Sequence, residues 1–152
     1  MYSGSLCIAS DHGGYALKNR VVRYLENELQ LTVTDLGPSQ YDETDDYPPY
    51  AEAVAHFVRQ HGGRGILICK NGIGVCIAAN KVDGIRAGIG YNLMAAETMM
   101  LDDNTNVLCL ASKLGTEEHA LAVVRRWLET NFSGAQRHKR RLEEVKEIET
   151  EN

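Results

Sequence analysis

Residues 65–81 read Gly-Ile-Leu-Ile-Cys-Lys-Asn-Gly-Ile-Gly-Val-Cys-Ile-Ala-Ala-Asn-Lys, and this stretch decides the fold. The apolar run from Ile66 to Ile68 stops at Cys69, gives way to a loop holding Gly72 and Gly74, and resumes as a short helix through Ile77, Ala78 and Ala79. Strand, glycine turn and helix start follow in the order that open α/β proteins use to present backbone N–H groups to an anion. A thiol ends the strand.

The same alternation extends in both directions. On the N-terminal side, residues 6–9 form a short buried-strand run that stops at Ser10-Asp11-His12-Gly13-Gly14, where turn formers and a helix cap take over. Leu17, Val21, Tyr24, Leu25 and Leu29 recur at helical spacing, which predicts an amphipathic helix up to about Gln30. Residues 31–36 are rich in β-branched side chains and predict a second strand ending at Gly37-Pro38. An acidic loop, residues 42–46, leads to Tyr47-Pro48-Pro49-Tyr50, which opens a helix carrying Ala51, Val54, Ala55 and Val58 on one face.

On the C-terminal side the spacing predicts a strand over 85–89, a methionine-bearing helix over 92–101, a strand over 106–110 and a helix beginning at Thr116. Met94, Met99 and Met100 read as adaptable core or interface filler rather than as ligands. The last segment starts basic, Arg137-His138-Lys139-Arg140-Arg141, and ends acidic. Its Leu142, Val145 and Ile148 make a narrow stripe, so residues 137–152 are expected to be a C-terminal helix leaning on a subunit interface.

Strands alternating with helices across short loops imply a single domain over residues 1–152. Its fold class is α/β, a Rossmann-like three-layer sandwich with a five-stranded parallel sheet and a C-terminal helix. Ligands of such sheets sit beyond the carboxyl ends of the strands, near the switch in strand order. That rule points to Asp11 and His12, to residues 69–74, and to Lys113.

Composition narrows the partners. A chain of 152 residues with 43% hydrophobic and 24% charged residues is that of a globular protein, and its net charge of -5 argues against a nucleic-acid partner. The four cysteines, Cys7, Cys69, Cys76 and Cys109, lack C-x-x-C spacing and read as free thiols, and no metal site is expected. No basic leader precedes an apolar core and no run is long enough to span a bilayer, so the expected location is cytoplasmic, with no membrane partner.

Gly72 and Gly74 allow the loop backbone to form a nest for negative charge. Ile77 stands where a dinucleotide fingerprint needs a small residue, and no Walker loop is present, so no nucleotide cofactor is expected. Cys69, beside Lys70 and near a helix start, is in a setting that favours a thiolate, although a buried packing cysteine fits the same residues. His12 reads either as a group that orients or protonates a ligand or as a loop histidine without a role. Arg137, His138, Arg140 and Arg141 lie at a helix start, where the dipole repels cations, and this favours a bound anion such as a phosphate.

Ser-Asp-His-Gly-Gly at 10–14, Asp-Tyr-Pro at 46–48, the run from Ile68 to Ala87, Asn-Val-Leu at 106–108 and Arg-His-Lys-Arg-Arg at 137–141 resemble ribose-5-phosphate isomerase B and its relative galactose-6-phosphate isomerase. The resemblance covers almost the whole chain. It implies a metal-free aldose–ketose isomerase working through a cis-enediolate, with each site built from two subunits of a homodimer or a dimer of dimers. On that basis Cys69 moves the proton between C1 and C2, and the N–H groups of Gly72, Ile73 and Gly74 form the anion hole. Asp11, His12, Tyr47, Lys70 and Asp103 contact the sugar, and Lys113, Arg137, His138 and Arg141 hold the phosphate.

Two departures from the family pattern stand out. The usual Cys-Gly-Thr-Gly is here Cys69-Lys70-Asn71-Gly72, so Asn71 replaces the hydroxyl that assists the base. The usual His-Asn-Asp is Asp102-Asp103-Asn104, which leaves Asp102 where the family carries its ring-opening imidazole. The expected function is interconversion of ribose 5-phosphate and ribulose 5-phosphate. The alternatives are a hexose 6-phosphate isomerase or a sugar-phosphate-binding paralogue with weakened catalysis.

Overall fold

The computed structural model describes residues 1–151; Asn152, the end of the expected C-terminal helix, lies outside them. The apolar runs become the strands β1 (Leu6–Ser10), β2 (Thr34–Asp35), β3 (Arg64–Cys69), β4 (Ala87–Ile89) and β5 (Val107–Ala111). All of their pairings are parallel, and the order across the sheet is β2-β1-β3-β5-β4. The chain leaves β1 for β2 on one side and returns to place β3 on the other. The switch in strand order therefore falls between the carboxyl ends of β1 and β3.

The helices are α1 (Tyr15–Arg23), α2 (Tyr47–His61), α3 (Ile73–Ala79), α4 (Leu93–Leu101), α5 (Glu117–Glu129) and α6 (Gln136–Thr150). Strand residues alternate between two cores because successive side chains point to opposite faces. Leu6, Ile8, Ile66, Ile68, Leu108 and Leu110 pack with α1, α4 and α5. Cys7, Ala9, Leu67, Cys69, Val107 and Cys109 pack with α2 and α3. The second face is lined by smaller side chains, which lets α2 approach closely: a Cβ on Gly65 would lie 2.4 Å from Val54 Cγ1.

Three boundaries differ from the periodicity. The first helix keeps α-geometry only to Arg23 and continues as a π-helical segment, Tyr24–Glu28, closed by Leu29 N–H donating to the Tyr24 carbonyl at 3.0 Å. Leu31 is then tied back to Leu25, and the second strand shrinks to two exposed residues on the sheet edge, where it has one neighbour. β4 begins at Ala87, because Ile85 is held in a turn by its N–H bond to the Val82 carbonyl.

Trp127, fully buried, ties α5 to the amino end of the sheet. Its Nε1–H donates to Thr105 Oγ1 at 2.9 Å, and the Arg64 guanidinium stacks on its ring 5.2 Å from the centroid. Trp127→Ala is expected to lower the unfolding free energy by about 3–5 kcal/mol, read from the denaturant midpoint.

Helix α6 also lies at this amino end. Gly84 N–H donates to Glu149 Oε1 at 2.8 Å, and His138 Nε2 lies 3.5 Å from Asp102 Oδ1. Val145 and Ile148 on α6 are exposed. No helix among the described residues is long and apolar enough to cross a membrane.

Candidate active site

At the carboxyl ends of β1 and β3 a cleft of about 420 Å³ is lined by Asp11, His12, Tyr47, Cys69, Lys70, Asn71, Ile73, Gly74 and Ile77. Its volume suits a small metabolite. Two loops build it. In the first, Asp11 caps the 3-10 turn His12–Gly14, its Oδ1 accepting from Gly14 N–H at 3.1 Å. Gly14 is required there, since a Cβ would lie 2.4 Å from the Ile68 carbonyl oxygen.

The second loop follows β3. Gly72 takes a left-handed φ of 74°, which turns the chain sharply into α3. That turn aims the Gly72 N–H at Cys69 Sγ, at 3.2 Å. The next N–H, of Ile73, donates to Asn71 Oδ1 at 3.0 Å, and the Cys69 thiol donates to the same oxygen at 3.7 Å. Gly74 follows in the first turn of α3, where N–H groups have no partner within the helix. Of the three expected anion-hole donors, one therefore faces the sulfur and one faces a side-chain carbonyl.

His12 is oriented rather than loose. Its backbone N–H and its Nδ1 both bond to Asp45 Oδ1, at 2.8 and 2.7 Å, which leaves Nε2 as the nitrogen available to a ligand. The Lys70 side chain lies across Gly13, where a Cβ would sit 2.5 Å from Lys70 Cγ. The β3–β5 ladder runs on past the strand ends: Ser112 N–H donates to the Cys69 carbonyl at 2.9 Å and Lys113 N–H to the Lys70 carbonyl at 3.0 Å. Lys113 thus stands beside the cleft, at the mouth of an adjoining depression formed with Gly13, Ser112 and Glu117.

The remaining candidates sit elsewhere. Asp102 and Asp103 follow α4 and precede β5, whereas Cys69 pairs with Ala111 at the far end of that strand. The length of β5, roughly 13 Å at the usual rise per residue, separates the two groups within one chain. His138 is buried beside Asp102, 2.8 Å from Ser133 Oγ, while Arg137 and Arg141 are exposed on the same helix.

The chain from residue 6 to residue 145 matches the family model described as Ribose/Galactose Isomerase. A probable ribose-5-phosphate isomerase B from Mycoplasma genitalium is 41% identical over 151 residues, covering 98% of each chain. The chain belongs to the ribose/galactose isomerase family. The crystal structure of ribose-5-phosphate isomerase B from Mycoplasma genitalium with bound ribulose-5-phosphate superposes with a TM-score of 0.94 at 40% identity, covering all of both chains. The enzyme from Clostridium thermocellum gives 0.92 at 37% identity, covering 97% of this chain and 98% of that one.

One residue that holds a cleft side chain in place carries no sequence signal. Asp45 is indistinguishable from its neighbours in the acidic loop, and only the fold places it under His12. Cys7, Cys76 and Cys109 do not line the cleft. Burial pushes the Cys7 thiol up to about 12. The Cys109 thiol is also raised, by its hydrogen bond to Cys76 and by burial, while Cys76, receiving that bond, is lowered.

Tyr47 lies on Gly74, where a Cβ would sit 2.7 Å from the ring's Cζ. Gly74→Ala must swing this ring out of the cleft. KM for the sugar phosphate is expected to rise about three- to tenfold with a smaller change in kcat. Steady-state kinetics checks this, and an unchanged KM would remove Tyr47 from the sugar site.

Proposed function

We propose that this protein interconverts ribose 5-phosphate and ribulose 5-phosphate through a cis-enediolate, with Cys69 as the base. The observation that carries the reading is the meeting, in one cleft at the strand-order switch, of a thiol, turned backbone donors and an oriented imidazole. It is supported by similarity over the whole chain to an isomerase crystallised with ribulose-5-phosphate.

The reaction starts from the open-chain aldose. The Cys69 thiolate takes the proton on C2, the C2–H electron pair forms the C1–C2 double bond, and the aldehyde oxygen takes up negative charge. Backbone N–H groups of the 72–74 turn stabilise that oxygen. The proton returns to C1 while the C2 hydroxyl proton passes to O1, so C1 is reduced and C2 oxidised within one molecule. Asp11, His12, Tyr47 and Lys70 hold the sugar in the cleft.

A second copy of the chain completes the site. It brings Asp102 and Asp103 to the sugar ring and Arg137, His138 and Arg141 to the phosphate, next to Lys113. Supporting this are the distance of these residues from Cys69 within one chain, the exposed Val145 and Ile148 on α6, and the exposed Ile73 and Ile77 on the cleft rim. The chain acts as one domain in the cytoplasm, in carbohydrate metabolism of the pentose phosphate type, as a homodimer or dimer of dimers.

The test follows ribulose 5-phosphate formation from ribose 5-phosphate, with hexose 6-phosphates in parallel. Turnover of ribose 5-phosphate is expected. Preference for a hexose 6-phosphate would redirect the reading to the substrate change that Asp102 motivates. Calorimetric binding without turnover of any sugar phosphate would sink the enzyme.

A further inference from the structure

Arg86 stands just before β4, at the amino end of the sheet, and lines no part of the Cys69 cleft. Its guanidinium is engaged by the carbonyls of the loop between α4 and β5. Nε–H donates to the Asp103 and Asn104 carbonyls at 3.2 and 3.0 Å, and Nη2 donates to the Asn104 carbonyl at 2.8 Å. Nη1 reaches back to the Gly84 carbonyl at 3.4 Å. The loop needs such a clamp, because Asn104 takes a left-handed φ of 46°, which is unfavourable for a residue with a side chain.

An arginine beside an aspartate usually takes its carboxylate. Here it takes the Asp103 main chain, and the Asp103 side chain is exposed with no ion-pair partner among the described residues. The neighbouring Asp102 lies 3.5 Å from His138 at the start of α6. Gly84, whose carbonyl accepts from Arg86 and from Asn106 Nδ2, donates its own N–H to Glu149 near the end of α6. One guanidinium thus joins the loop carrying Asp102 and Asp103 to the turn that holds α6.

We infer that Arg86 is a positioning residue for the half of the site that each chain lends to its partner: it fixes the 102–104 loop by its backbone and so presents Asp102 and Asp103 to the sugar. The inference rests on the reading of a site shared between two chains. A planar guanidinium bonds several carbonyls at once, which neither a carboxamide nor an ammonium reproduces. Without it Asn104 relaxes toward an ordinary φ, and the displacement passes directly to Asp103.

The test is subunit mixing, with ribose 5-phosphate below KM so that kcat/KM is read. Arg86→Gln is expected to lower kcat/KM about ten- to a hundredfold, the cost of a group misplaced by about an ångström. Arg86→Lys keeps the charge but loses the fork, and is expected to recover part of the loss, ending about three- to fivefold below wild type. Refolded with an equal amount of Cys69→Ala chains, Arg86→Gln chains are expected to give about a quarter of wild-type activity. In each mixed dimer the intact Cys69 then faces a loop whose own chain retains Arg86. If Arg86 supported only the cleft of its own chain, every intact Cys69 would sit in a damaged chain, and the mixture would reach no more than about a twentieth.

That lower yield, or wild-type kcat/KM in either Arg86 variant, would overturn the proposal. If Arg86→Gln fails to fold, Arg86→Lys takes its place in the mixture. The expected activity is then more than half that of Arg86→Lys refolded alone at the same total concentration, and half or less overturns the proposal. Arg141→Ala chains mixed with the same Cys69→Ala chains are the control. No recovery there would remove the shared site and this inference with it, whereas recovery there without recovery for the Arg86 variant would remove the role of Arg86 alone.

Discussion

Cys69→Ala is expected to lower kcat about a hundred- to ten-thousandfold, the range associated with loss of a general base, while affinity for inorganic phosphate stays within about twofold of wild type. The separation follows from geometry. The sulfur lies at the end of β3, against Gly72 and Asn71, whereas the cationic groups assigned to the phosphate are on α6 and at Lys113. The substitution removes a small buried group whose neighbours are the loop and α3, and a folded protein is expected. Steady-state kinetics and phosphate calorimetry on the same preparation decide the matter. A variant that keeps most of its rate would move the base to another group in the cleft, of which His12, fixed through Nδ1 by Asp45, is the best oriented.

Mixing inactive subunits is expected to restore activity. Arg141→Ala is expected to cost about a hundredfold or more in kcat/KM, since the charged contact proposed for the substrate phosphate is lost. When Cys69→Ala and Arg141→Ala chains are unfolded together at equal concentration and refolded, half of the dimers are mixed. Each mixed dimer carries one site with both defects and one with neither. Activity is therefore expected to return to about a quarter of wild type, for a symmetric dimer with two shared sites. The parents refolded separately stay near zero. Absence of recovery, with subunit exchange confirmed by mass spectrometry, would place all site residues in a single chain and contradict the shared site.

The α/β class was legible because its signals are local. The apolar run ending at Cys69, the left-handed turn at Gly72 and the helix after it each follow from a few neighbouring side chains, and the structure forms all three. Thr116 caps α5 through its side chain, accepting from His119 N–H, as its residue type predicts. The edge of the sheet was less legible. Residues 31–36 have strand composition, but strand length depends on a partner, and β2 has only β1 beside it, with Leu31 bound to Leu25 instead.

The sequence by itself determined the parallel sheet, the thiol at the end of the third strand, the glycine turn after it and the family to which the chain belongs. Each is carried by residue type and short spacing, which tertiary contacts do not alter. Only the tertiary structure decided what those residues face. It set Asp45 under His12 across an acidic loop with no distinguishing pattern, and it turned the Asn71 carbonyl to the sulfur, because a left-handed Gly72 brings Ile73 N–H around to meet it. It also put Cys69 and Asp102 at opposite ends of β5, since parallel strands send every loop after a strand to one edge and every loop before a strand to the other.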